Sequence, residues 1–119
     1  MRRDSRAFLW DIHQGCVNVQ DFLRGIELSD YLASLLLRSA VERQLQNIGE
    51  ALVQLARLDA NMAAQVPEYR QLIGFRNVLV HGYSSLNHHE VWRAISESLP
   101  PLRQAVDRLI SETQPPVQP

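Results

Sequence analysis

The chain has 119 residues, 45% of them hydrophobic and 21% charged, with five Gly, six Pro and a single cysteine. That is one domain's worth of sequence, long enough to bury a core without disulfide staples and too apolar for a disordered or low-complexity chain. Twelve basic and thirteen acidic residues leave a net charge of −1, which excludes a generic nucleic-acid coat or a membrane-surface protein. Cys16 alone closes neither an internal disulfide nor a cysteine zinc cluster, and fits a reducing compartment. Apolar runs such as Leu35-Leu36-Leu37 are far short of the ~20 residues of a membrane span. Met1-Arg2-Arg3-Asp4 is followed by no apolar segment of the signal-peptide kind, so a cytoplasmic protein is expected. Every basic residue is arginine, so any phosphate contact here uses a planar, bidentate guanidinium.

The apolar residues recur with helical spacing throughout. Phe8, Ile12, Cys16, Val19 and Leu23 mark one face of a first helix from about residue 4 to 24, with Gly25 able to end it. Ser29-Asp30 offers an N-cap for a second, long helix over about 30 to 58. Its seam is Leu37, Val41, Leu45, Ile48, Leu52 and Leu55, which suits a bundle or a dimer contact. Residues 59–66 are Ala-rich and predict a short or frayed helix. Pro67-Glu68 resembles a helix start, because a first turn tolerates proline and favours an acid. That helix carries Leu72, Ile73, Phe75, Leu79 and Val80 and stops at Gly82. A turn through Ser84, Ser85 and Asn87 leads to a last helix with the face Val91, Ile95, Leu99, Leu102, Val106 and Leu109. Pro100-Pro101 falls inside that pattern and predicts a kink or break. The fold class expected is all-α, an up-and-down bundle of four or five helices over residues 1–112, with a flexible Pro-rich tail over 113–119.

Chemistry concentrates in Arg76-Asn77-Val78-Leu79-Val80-His81-Gly82-Tyr83, which reads Arg-x4-His-x-Tyr. In a chain of this composition the triplet is expected by chance about 0.01 times, so the spacing carries information. On a helix Asn77 and His81 share a face, with Arg76 on its flank. His81 falls in a last turn, where the helix dipole favours an imidazolium, while a neighbouring Arg opposes it.

The segment resembles the HEPN superfamily, and within it the HepT-like ribonuclease toxins. Val41 to Ala51 is similar to that family's second-helix segment. Val91-Trp92 with Leu99-Pro100-Pro101-Leu102 is similar to its last helix, so the likeness spans about residues 4–112. Tyr69 stands where many relatives carry Trp, and Ser84 where an aromatic is common. The resemblance implies a metal-independent ribonuclease toxin without cofactor, acting as a homodimer on RNA (mRNA or tRNA), with two motifs meeting in one cleft. Arg76 and His81 would be its catalytic pair, with Asn77 and Gly82 in support. It further implies control by a minimal nucleotidyltransferase antitoxin that adds adenylate to Tyr83, as in type VII-like toxin–antitoxin pairs. The residues suit that chemistry: a poised His takes the 2′-OH proton, and Arg neutralises charge developing at phosphorus. A 2′-OH requirement restricts the substrate to RNA.

Other readings stay open at this level. The alternative is a non-catalytic helical module that docks a minimal nucleotidyltransferase, a nucleotide, or both; a third is a dimerisation protein with a vestigial motif. His88-His89-Glu90 invites a metal reading, but neighbouring helical residues point about 100° apart, and a polar first turn accounts for them. Arg38 and Arg43 could extend an RNA surface or pair with Glu42 and Glu50 along their own helix. Cys16 is expected in the core, and Trp92 as a packing anchor.

Overall fold

The computed structural model describes residues 4–82 and 86–113. Among them every regular element is a helix: α1 (Ser5–Phe22), α2 (Leu28–Ala33), α3 (Leu35–Leu58), α4 (Ala60–Ala63), α5 (Tyr69–His81), α6 (His88–Glu97) and α7 (Leu99–Thr113). Five are long and two, α2 and α4, are short, so the all-α bundle is as expected. The tail beyond Thr113 lies outside the described residues.

α3 forms the spine, packed against α1 on one side and α5 on another, with α7 closing over α1 and α6. The expected α3 seam is the centre of the core: Val41, Ile48, Leu52 and Leu55 are completely buried, and Leu45 nearly so. From Val41 to Leu55 the seam is therefore spent inside the bundle and is not free to serve as a dimer contact, while Leu37 at its start is half-buried. On α1, Ile12, Cys16 and Val19 are buried as predicted, but Leu9 takes the place expected of Phe8. The bundle is pinned across α1 and α7 by His13 Nδ1 and Asp107 Oδ1, 2.7 Å apart, and by Arg103 donating to Gln20.

Four boundaries differ from expectation, each for a local reason. The second helix is two elements, because Ser34 leaves helical geometry (φ −114°, ψ 105°) and its hydroxyl accepts from the Leu37 N–H at 3.1 Å, starting α3 afresh. Its beginning is also earlier: Glu27, not Ser29-Asp30, is the N-cap, and Asp30 Oδ2 reaches back to the Glu27 N–H at 3.0 Å. α5 starts after Pro67-Glu68 instead of through them, since Glu68 sits in the left-handed region at φ 59°. In the last segment the break falls at Ser98, and Pro100 and Pro101 lie in the first turn of α7. There their missing N–H groups would have had no intrahelical partner anyway. Gly25 ends the α1 region with φ 74°, a conformation that only glycine adopts cheaply.

Candidate functional site

The Arg-Asn-x3-His segment occupies the second half of α5, laid against the middle of α3. Two adjacent α3 residues make that contact. At Gly49, a β-carbon would overlap the Arg76 Cβ, stand 2.8 Å from its Cγ and 3.3 Å from the Leu72 carbonyl oxygen. Only glycine lets the two helices approach this closely. At Glu50, the carboxylate Oε2 accepts from Arg76 Nη2 at 2.6 Å, a charge-assisted bond at the short end of its range.

Arg76 is held at its other end as well. Nη1 donates to Asn77 Oδ1 at 2.9 Å, and Nε is buried with no hydrogen-bond partner among the described residues. On the acid's side, Gln54 Nε2 donates to Glu50 Oε1 at 3.2 Å. These contacts, the Gln54 bond first and then the Arg76 bond and charge, hold the Glu50 carboxyl below its ordinary range. The result is a chain running Gln54, Glu50, Arg76, Asn77, with the guanidinium at its centre and the Arg76 side chain 24% exposed.

His81 sits in the last turn of α5 and is exposed, without a hydrogen bond among the described residues. Gly82 follows as C-cap, its N–H bonded to the Val78 carbonyl at 2.8 Å. Its φ is −125°, so the left-handed exit that would have explained a glycine here is not the one used. Tyr83, together with Ser84 and Ser85, lies outside the described residues. The structure thus joins Arg76 to Asn77, while Arg76 and His81, five residues apart, project from different sides of the same helix end.

The acids take roles that the sequence reading did not assign. Glu50 pairs across helices with Arg76 rather than along α3 with an arginine. Glu42 is buried, its Oε2 3.8 Å from His88 Nδ1 of α6, and neither atom has a hydrogen-bond partner among the described residues. A sequence signal for this existed: Glu42 is one helical turn before Leu45 and two before Gly49, both buried. His88 thereby turns inward, while the backbone N–H groups of His89 and Glu90 are capped by Asn87 Oδ1, the polar first turn anticipated. Among the described residues no three His, Cys, Asp or Glu side chains converge on one point. Arg38 donates to the Leu32 carbonyl and braces α2. Arg43 instead borders a polar cavity of about 220 Å³ with Ser39, Glu42, Gln46 and Leu79, between α3 and the end of α5. A larger groove of about 660 Å³ runs between α5 and α6 past Phe75, Val78 and Arg93, and neither Arg76 nor His81 lines it. Cys16 is fully buried, and burial pushes its thiol up to about 12. Trp92 packs against Tyr31, ring centres 5.3 Å apart.

An all-helical domain that seats an Arg-Asn-x3-His helix end on a Gly-Glu pair is thus the arrangement to be placed among known proteins. The family model described as "Ribonuclease HepT-like" matches residues 12–109, and the chain belongs to that family. It is similar to "Putative RNase MJ1380" of Methanocaldococcus jannaschii, 29% identical over 89% of this chain and 96% of the relative. It is also similar to "Putative RNase TTE0752" of Caldanaerobacter subterraneus, at 28% over 90% and 95%. A third relative is "Probable ribonuclease HepT" of Thermococcus cleftensis, at 27% over 92% and 98%. No solved structure matches the chain. No helix among the described residues is long and apolar enough to cross a membrane.

Proposed function

We propose that this protein is a metal-independent endoribonuclease, the toxin of a toxin–antitoxin pair, with Arg76 and His81 as its catalytic residues. The observation that carries the reading is the fixed, part-exposed guanidinium of Arg76 on the helix whose last turn presents an open imidazole at His81. The relatives named as ribonucleases support the ribonuclease part of this reading. In this reading His81 removes the 2′-OH proton, the oxygen attacks the adjacent phosphorus, and the 5′-oxygen bond breaks. Arg76 meets the charge that builds on the non-bridging oxygens, where a pre-placed donor is most effective.

A homodimer suits this site, because one His81 of two could accept a proton while the other protonates the leaving 5′-oxygen. The α3 seam is buried and lends no support to it. Val78 and Val80, each more than a third exposed beside the motif, offer apolar contact area instead. Tyr83, two residues beyond His81, is the proposed point of control. Its hydroxyl would attack the α-phosphorus of ATP held by a minimal nucleotidyltransferase, releasing pyrophosphate and leaving a negative adenylate on Tyr83. The second reading, a non-catalytic docking module, draws on the net charge of −1 and on the share of Arg76 already taken by Glu50.

Product chemistry tests the mechanism. Cleavage should leave a 2′,3′-cyclic phosphate and a 5′-hydroxyl, and a 2′-deoxy substitution at the cut nucleotide should block it. A 5′-phosphate product would contradict it. For the control step, mass spectrometry after incubation with the nucleotidyltransferase and ATP should find adenylate on Tyr83 and none on the Tyr83→Phe variant.

A further inference from the structure

We infer that Glu50 is a positioning residue for the ribonuclease site: it fixes the direction of the Arg76 guanidinium, and so sets the turnover rate rather than the affinity for RNA. The inference rests on the ribonuclease reading above and adds to it a residue on a second helix.

The geometry is that of a clamp with one face left open. A guanidinium carries five N–H donors in a rigid plane. Nε is buried against the protein without a hydrogen-bond partner among the described residues, so that edge is closed to substrate. Of the two hydrogens on Nη2, one is taken by Glu50 Oε2 at 2.6 Å. Of the two on Nη1, one is taken by Asn77 Oδ1 at 2.9 Å. One hydrogen on each terminal nitrogen remains, enough for a phosphate oxygen. Asn77 is exposed and belongs to the same helix, so it cannot by itself fix the plane relative to the rest of the bundle. Glu50 can, because it stands on α3, is tied from behind by Gln54, and adjoins Gly49, where the Arg76 stem is seated.

A charge argument separates this role from substrate binding. A carboxylate beside the phosphate-binding cation weakens the local positive field, so it works against affinity for RNA. Its presence is useful only if the orientation it imposes outweighs that loss in the transition state. Removing it should then change KM little, or lower it, while kcat falls. Misplacing a catalytic group by about 1 Å can cost ~10²-fold in rate.

The test compares Glu50→Ala, Glu50→Gln and Arg76→Ala with the unaltered protein, in two readouts. In steady-state cleavage of a fluorogenic RNA, Glu50→Ala should lower kcat about 10²-fold with KM equal to or below that of the unaltered protein. Glu50→Gln, which keeps an acceptor oxygen, should recover part of the loss. In nitrogen-15 NMR of the uniformly labelled protein, Arg76 should give resolved, slowly exchanging Nη signals, assigned by their disappearance in Arg76→Ala. Those signals should collapse in Glu50→Ala while the melting temperature stays close to that of the unaltered protein. An unchanged kcat in Glu50→Ala, a rise in KM alone, or guanidinium signals that survive without Glu50 would each overturn the inference. If the unaltered protein and Arg76→Ala are equally inactive on RNA, the ribonuclease reading itself fails and Glu50 has no rate to set. The NMR arm then still reports whether the clamp exists.

Discussion

Gly49 and Arg76 touch across α3 and α5 at a point where one hydrogen is all the space allows. This contact decides how far apart the two helices stand, and hence where the guanidinium meets Glu50. Gly49→Ala gains helix propensity, worth about 1 kcal/mol. It must also push the backbone-proximal atoms of Arg76 aside, and overpacking of this kind typically costs about 1–3 kcal/mol. The net effect expected in urea denaturation is a loss of stability of up to about 2 kcal/mol, with a larger proportional loss of RNA cleavage.

Cys16 offers a check on the core that is independent of the site. Its side chain is inaccessible, and burial raises its pKa to about 12, so almost no thiolate exists near neutral pH. A thiol reagent should modify Cys16 only through unfolding, at a rate that follows global stability as urea is added. Fast modification in the absence of denaturant would show that α1 does not pack on α3 and α7 as described.

Much of the bundle was readable from spacing because apolar residues at helical intervals have few other ways to be buried. Val41 to Leu55 and Val91 to Leu109 behaved so. The break at Ser34 was not readable, since Leu35 and Leu36 continue an apolar run and only the backbone turn reveals a serine acting as a cap. At the site, local spacing marked Arg76, Asn77 and His81 on one helix. The partner of Arg76 stands 26 residues earlier on another helix, and periodicity along one helix carries no information on which residue of another helix it meets. Gly82 is the helix stop that its position suggests, at a φ of −125° that other residues also adopt.

The Ser34 cap has a measurable worth. Its hydroxyl satisfies one of the α3 N–H groups that have no intrahelical acceptor. Ser34→Ala should cost about 1 kcal/mol, seen as a shifted urea midpoint with an unchanged slope. Ser34→Gly should cost only a few tenths by the same scale. Equal stability of all three forms would mean that α2 and α3 are joined by something other than this bond.

The Arg76–Glu50 pair should carry a pH signature. The folded protein holds the Glu50 carboxyl below its ordinary value of 4.5, so the folded state binds its proton less readily than the unfolded chain. Its contribution to stability is therefore complete above pH 4.5 and disappears as pH falls through the lowered folded value. Because the Glu50 side chain is 46% exposed, that contribution is at most about 1 kcal/mol. The difference in melting temperature between the unaltered protein and Glu50→Gln should be constant near neutral pH and close below pH 4.5. A difference that instead grows in acid would reverse the sign and remove the pair.

The most direct measurement is RNA cleavage by purified protein in excess chelator, set beside Arg76→Ala and His81→Ala. His81 is exposed and bonded to nothing described, so its removal should leave the melting curve in place. Loss of a general acid–base group should lower cleavage by ~10²–10⁴-fold, and loss of Arg76 should lower it comparably. The predicted result is cleavage by the unaltered protein without metal and near-absence of it in both folded variants. Cleavage that requires added divalent metal, or that persists in His81→Ala, would contradict the account.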